Sequence, residues 1–508
     1  MELEPSSPDR MDLCGKRVLI FVVAYNAETT IEKVLSRIPS CLHSPEVEVL
    51  IIDDASKDLT FQNGLRFQKK TAALKTTILR TPRNQGYGGN QKLGYRYAID
   101  NGFDIVALVH GDGQYAPEKL PMLLEPLVRG EADAVFGSRM IDKRAARAGG
   151  MPAYKWIGNQ ILTRFQNALL GTSLSEFHTG YRLYSTAALA QVPFEKNTGD
   201  FHFDTEIIIQ FVLKNLTIAE LPIPTFYGDE ICHVNGLKYA WQVVKATTKA
   251  RLCGIHLFYD RKFDVNPADR SHSDKLGFVS SQSFAIECCR PGAAVLQLGM
   301  GHANVAAELQ ARGCEVMAVD FSGNEIAEAS PGPAAAPAPQ LPQNVSQDYV
   351  LLMDLIEHVH DPEAFMDQLR RKIAGRQPEV IVTTANVAFF VTRAMLALGQ
   401  FNYSKKGILG IGHRRLFTFK SLRALLEQAG YEVIAERGVP APFPLALGMN
   451  RWSGLLLQVN RALITVAKGL FSYQICLRAR ALPDAEHLLK ETIVSSSALR
   501  VQMLDRVA

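Results

Sequence analysis

Asp104-Ile105-Val106-Ala107-Leu108-Val109-His110-Gly111-Asp112-Gly113-Gln114-Tyr115 is the stretch on which the fold turns. Its apolar run has strand length and ends in an acidic residue between two glycines, the way a buried strand carries a carboxylate to the rim of an α/β sheet. Upstream, Val18-Leu19-Ile20-Phe21-Val22-Val23-Ala24-Tyr25-Asn26 predicts a second such strand. Val47-Glu48-Val49-Leu50-Ile51-Ile52 predicts a third, running into the turn Asp53-Asp54-Ala55-Ser56-Lys57-Asp58. Carboxylates at two strand ends suggest a nucleotide-diphosphate site, because ligands of open α/β sheets sit beyond the carboxyl ends of the strands.

Taken singly, each feature has a plainer meaning. Asp53 and Asp54 serve equally well as an N-cap pair, and Asn84-Gln85-Gly86-Tyr87-Gly88-Gly89-Asn90 as a glycine-punctuated loop. His110 reads as a structural histidine, Arg139 and Arg182 as surface charges, and Asp204 with Glu206 as acids favoured by a helix N-terminus. Taken in order, Ala24-Tyr25-Asn26, the Asp53 turn, the Asn84 loop, the Asp112 turn, Gly137-Ser138-Arg139 and Thr179-Gly180-Tyr181-Arg182 resemble the family 2 glycosyltransferases of the GT-A fold, in the branch that contains dolichol-phosphate-mannose synthase.

The resemblance implies a metal-dependent inverting transfer of a sugar from a nucleotide-sugar donor to a glycan or polyprenyl-phosphate acceptor. A hard cation on oxygen ligands stabilises a diphosphate leaving group, so Mg²⁺ or Mn²⁺ is expected on Asp112, with His110 and Gln114 beside it. The family's Asp-x-Asp has His110 in its first place here. Ala24, Tyr25, Glu28, Asp53 and Asp54 are implied donor-binding residues, and Val23 and Ala27 stand where the family has proline and glutamate. Arg139 and Arg182 are implied at the acceptor. A phosphate acceptor is already anionic, whereas a hydroxyl needs a base, for which Asp204 and Glu206 are the candidates alongside Asp112 as catalytic acids. Thr225-Phe226-Tyr227-Gly228-Asp229-Glu230 departs from the Arg-x-x-Gly-x-Ser pattern of the phosphate-acceptor enzymes.

A second resemblance starts at Ala294-Val295-Leu296-Gln297-Leu298-Gly299-Met300-Gly301-His302 and Val316-Met317-Ala318-Val319-Asp320, which look like the opening βαβ of a class I S-adenosylmethionine-dependent methyltransferase. It implies a Rossmann-like fold with Gly299 and Gly301 beside the cofactor and Asp320 on its ribose. Asp348-Tyr349-Val350-Leu351-Leu352-Met353-Asp354 through Asp361-Pro362, and His413 to Thr418, extend the match. Gln297 and Ala303 replace the usual acid and third glycine, and Ser330-Pro331-Gly332-Pro333 to Pro339 replaces a helix and a strand. Two readings follow, an S-adenosylmethionine-dependent methyltransferase and a degenerate domain kept for packing or partner contacts. His358 and His360 read as packing residues rather than metal ligands.

The chain of 508 residues, with 47% hydrophobic residues and a net charge of +4, has the length for two cores and no polyelectrolyte character, so no nucleic-acid partner is expected. Its eight cysteines form no Cys-x-x-Cys, which favours a reducing cytoplasm. Expected boundaries are a disordered lead over 1–15, a glycosyltransferase domain over 16–260, a linker over 261–282, a methyltransferase-like domain over 283–480 and a tail over 481–508. No apolar run reaches bilayer length. Trp452 to Lys468 is amphipathic, suited to lying on the inner face of a membrane or to packing as a core helix. The reading is a two-domain α/β glycosyltransferase with an appended methyltransferase-like domain. The alternative is a non-catalytic sugar-nucleotide-binding or scaffold protein with decayed sites.

Overall fold

The computed structural model describes residues 10–71, 74–225, 235–255, 258–266, 275–299, 303–320, 347–373 and 377–483, with the backbone only at 320. Gly301, residues 226–230 of the acceptor-region stretch, the proline-rich run 330–339, the first nine residues of the expected lead and most of the expected tail lie outside the described residues. The chain divides into two compact units, Met1–Gly254 with Tyr259–Ala268, and Ile255–Phe258 with Asp269–Ala508.

The first unit is built on β1 (Val18–Ala24), β2 (Val47–Asp53), β3 (Lys75–Arg80), β4 (Ile105–His110), β5 (Ala134–Ser138), β6 (Arg182–Ser185) and β7 (Ile218–Pro222), ordered β3-β2-β1-β4-β6-β5-β7. β1 to β4 run parallel, β6 runs antiparallel to both β4 and β5, and β5 pairs parallel with β7. Every residue of β1 and β2 is buried, which is why both read as unbroken apolar runs. Successive side chains leave a strand on opposite faces. Val18, Ile20 and Val22 accordingly pack in one core with Leu120, Leu123 and Leu127, and Leu19 and Phe21 in another with Tyr95, Phe203 and Phe211. The chain builds outward from β1 through β2 to β3, then returns to lay β4 on the other side of β1. That reversal opens a crevice at the carboxyl ends of β1 and β4.

The second unit carries β8 (Ala294–Gly299), β9 (Glu315–Asp320), β10 (Tyr349–Met353), β11 (Glu379–Ala385), β12 (Tyr431–Val439) and β13 (Gln474–Ala481), ordered β12-β13-β11-β10-β8-β9. Only β13 is antiparallel to its neighbours β11 and β12. The core-helix reading of Trp452 to Lys468 fails. The helix Arg451–Val466 leaves its apolar stripe exposed and turns Ser453 and Asn460 inward.

Candidate active site

Register alone brings the expected residues of the first unit together: Ala24 pairs with Asp53 across β1 and β2, and Val23 with His110 across β1 and β4. The loops after β1 and β2 are latched to one another. The Asp54 amide donates to the Ala24 carbonyl (2.9 Å), Asn26 N–H to Ser56 Oγ (2.8 Å), and Glu28 Oε2 accepts from the Leu59 amide (3.1 Å). Asn26 and Ala55 hold positive φ of 50° and 56°, a local strain that these cross-loop bonds sustain. Tyr25 is left 45% exposed on the rim.

Asp53 and Asp54 are both buried. Asp54 accepts from the amides of Gln85 (2.8 Å) and Gly86 (3.0 Å) and from the Thr81 hydroxyl (2.9 Å), while Asp53 accepts from Ser56 N–H (3.1 Å) and faces Arg80 at 3.4 Å. The pair thus ties the Asn84 loop and the Ser56 turn to the end of β2. What this leaves at the surface is the rim those turns shape.

Asp112 stands exposed just past β4, with Oδ1 accepting the Gln114 amide at 3.0 Å. A solvent-facing carboxylate at this edge fits a hard cation, which takes one or two carboxylates from a protein and the rest of its shell from phosphate oxygens and water. His110 turns into the wall, its ring edge-on to both Tyr87 and Tyr115. Gly180 makes that room, since a Cβ there would fall 2.6 Å from His110 Cε1 and Nε2. Burial pushes the imidazole pKa down, so the ring is neutral near pH 7. The Tyr87 hydroxyl donates to Asp204 Oδ2 at 3.0 Å and lies 3.2 Å from His110 Nε2. A hydroxyl has one proton to give, so His110 is assigned the Nε2–H, and a cation could use only its Nδ1.

Asp204 closes this chain. Its Oδ1 accepts from Gln91 Nε2 (3.0 Å), and its backbone carbonyl from Arg182 Nη1 (2.8 Å). Arg182 was expected to face an acceptor, yet it is wholly buried. Its Nε and Nη2 also donate to the carbonyls of Thr179 and Phe177 at 2.7 and 2.9 Å, so it braces the wall beneath the rim. Glu206, expected near Asp204, faces elsewhere, because residues two apart on a helix point to different sides. It pairs with Lys262 Nζ at 2.6 Å and accepts from the Thr198 amide at 2.7 Å. Arg139 is bound to the fully buried Glu176 and donates from Nη2 to the His178 carbonyl at 3.1 Å. Burial would raise the Glu176 pKa, but the Arg139 guanidinium outweighs it and holds the carboxyl low.

Tyr87, Gln91, Tyr115 and Glu176 were not singled out from the sequence. Tyr87 and Gln91 do lie at the start of a helix opened by the Gly86-x-Gly88-Gly89 run, a signal that marked the loop without marking the tyrosine. In the second unit, Gly299 at the end of β8 pairs in register with Asp320 at the end of β9. Neighbouring strand ends are the placement a cofactor ribose requires.

Residues 19–192 match the family model for glycosyl transferase family 2. The first unit is a family 2 glycosyltransferase domain. Residues 278–436 match a methyltransferase domain model, so the second sheet belongs to a methyltransferase-like domain. The glycosyltransferase domain is 26% identical over 227 residues to the UDP-N-acetylglucosamine–dolichyl-phosphate N-acetylglucosaminyltransferase of Methanococcus voltae, covering 43% of this chain and 88% of that protein. It is 27% identical over 218 residues to the undecaprenyl-phosphate mannosyltransferase of Micrococcus luteus, covering 42% and 85%. A solved glucosyl-3-phosphoglycerate synthase from Mycobacterium tuberculosis overlaps 48% of this chain and 85% of its own, at 18% identity and a TM-score of 0.36.

Proposed function

We propose that the glycosyltransferase domain moves a sugar from a nucleotide-diphosphate donor to a polyprenyl phosphate, with inversion at the anomeric carbon. One observation carries the choice of acceptor. Asp204, the one sequence-nominated base that reaches the wall of the crevice, has both carboxylate oxygens engaged by Tyr87 and Gln91 and is 7% exposed. A base so occupied is poorly placed to strip a hydroxyl, whereas a phosphate arrives ionised and needs none. The relatives from Methanococcus voltae and Micrococcus luteus are named for dolichyl-phosphate and undecaprenyl-phosphate chemistry, which agrees with this reading.

Within the site, Asp112 would hold Mg²⁺ or Mn²⁺. When bound, that cation would act as a Lewis acid on the departing diphosphate. The turns fixed by Asp53 and Asp54, with Ala24, Tyr25 and Glu28, shape the donor rim. His110, held neutral, keeps the wall beside Asp112 free of a second charge, and Gln114 orients the Asp112 carboxylate through its amide. Arg139 and Arg182 position the loop from Phe177 to Arg182 behind the acceptor side. For the methyltransferase-like domain, Gly299 and Asp320 are the proposed S-adenosylmethionine contacts. Calorimetry with S-adenosylmethionine and S-adenosylhomocysteine at millimolar concentration tests this, and silence from both would leave a packing or docking domain.

Asp112→Asn is the test of the first reading. Asp112 is exposed and supports no other element, so the variant should keep the wild-type melting temperature while Mn²⁺-dependent sugar transfer to a polyprenyl phosphate falls at least about a hundredfold. Retained metal-dependent turnover would remove Asp112 from the reaction.

A further inference from the structure

The helix Arg451–Val466 is inside out. Its inward face presents Ser453 and Asn460, and both are held by hydrogen bonds. Asn460 Oδ1 accepts the Ala441 amide at 2.8 Å and its Nδ2 donates to the Phe471 carbonyl at 2.9 Å. Ser453 closes a capping box with Asn450. The outward face carries Trp452, Leu455, Leu456, Val459, Leu463 and Val466, with Trp452 74% and Val466 82% exposed. At 3.6 residues per turn these six side chains fall within an arc of about 100°. Polar anchors fix the rotation of the helix, so the apolar arc is presented outward rather than left over by loose packing.

The stretches of chain that form this face are poor in acids, Glu436 of β12 being neutralised by Lys468 just past the helix. No aspartate or glutamate occurs between Arg437 and Pro483, and none between Val380 and Leu426. Arg451 borders the arc, Arg461 lies on the exposed polar face beyond it, and Arg393 is exposed on the helix Phe390–Ala397, whose Phe390 ring lies 5.8 Å from that of Phe471. Among the described residues no helix is long and apolar enough to cross a membrane.

We propose that this face of the methyltransferase-like domain docks on an anionic phospholipid bilayer, with the helix lying in the interfacial plane. An unbroken apolar arc that carries no acid and is bordered by Arg451, with Arg461 on the exposed face beyond, suits lipid tails below and phosphate headgroups beside it. A second copy of the chain would set the same uncompensated arginines against one another, which disfavours a symmetric dimer on this face. The proposal stands apart from the acceptor of the first unit, although a lipid-phosphate acceptor would be found at the same surface.

Cosedimentation of the full chain with two vesicle types tests it, phosphatidylcholine alone and phosphatidylcholine with about a third phosphatidylglycerol. Wild-type protein should bind the mixed vesicles, weakly bind the neutral ones, and be released from the mixed ones by salt. Leu455→Glu with Val459→Glu should weaken partitioning at least about tenfold, since two apolar side chains are withdrawn from the interface. Arg451→Glu with Arg461→Glu should abolish the preference for phosphatidylglycerol. All four positions are exposed, so circular dichroism and donor affinity should be unchanged. Absence of wild-type binding, or equal binding by the Leu455 and Val459 double variant, would overturn the proposal. So would a wild-type dimer that the double variant splits without any vesicle binding, which would assign the face to a second copy.

Discussion

Arg182 and Arg139 show what sequence tells about a charge and what it withholds. Both lie in motifs that suggested an anion site, and both end as partners of the protein itself. Burial is a property of the folded wall, set for Arg182 by Phe136 and Asp204 on other elements, and no local pattern reports it. The same logic makes Arg139→Ala costly. It would strand the fully buried Glu176 carboxylate, so the first unit should lose about 3 kcal/mol in urea unfolding, with Glu176→Gln in the same chain restoring much of it. A loss under about 1 kcal/mol would mean that Asn159 and the backbone amide of residue 139, each 2.8 Å from Glu176, suffice without the guanidinium. Glu357 in the second unit is a titrating case. Burial, and then the Asp354 carboxylate, push its pKa up to about 8, and Oε2 finds no hydrogen-bond partner among the described residues. The folded state therefore keeps a proton that the unfolded chain releases near pH 4.5, so stability is lost as pH rises from there towards 8. Glu357→Gln should remove that slope, and the melting difference between variant and wild type should widen between pH 5 and pH 8. A constant difference would exclude the linkage.

Elements were easier to read than their orientation. β1, β2 and β4 were plain in the sequence because strands covered on both faces are apolar throughout, and Asp112 was plain because a carboxylate between glycines must lie at an edge. For the helix Arg451–Val466 the periodicity exposed a stripe but could not say which way the stripe points. That is decided by Asn460, whose partners Ala441 and Phe471 come from the segments on either side of the helix. The Asn84 loop is a similar case, since its glycines mark a turn while its anchor, Asp54, sits on another element. Asp54→Ala should free that turn. The amides of Gln85 and Gly86 should lose their protection from hydrogen exchange, and donor affinity should fall about tenfold, or ~1.4 kcal/mol, by calorimetry. Unaltered exchange at both amides would show that the turn holds itself.

On the scale of the molecule, each unit has its own sheet and its own cores, and the two resemblances in the sequence correspond to them. Two thermal transitions are expected. A nucleotide-sugar donor with Mn²⁺ at about a hundred times its Kd should raise one of them by about 2.7 kcal/mol and leave the other in place. Movement of both together would mean that the units unfold as one. The order of strands in the first sheet could not be read from the chain, because β6 is inserted between β4 and β5 although it follows β5 in sequence. That insertion has a consequence for the protein as it is made. β5 leaves the ribosome with no neighbour to join, and Arg182–Ser185 must follow before the sheet can close across β4, β6 and β5. At about 5–20 residues per second the wait lasts seconds. During it, an apolar strand is open to chaperones, and the crevice still lacks the wall that Gly180 brings to His110 and Arg182 to Asp204.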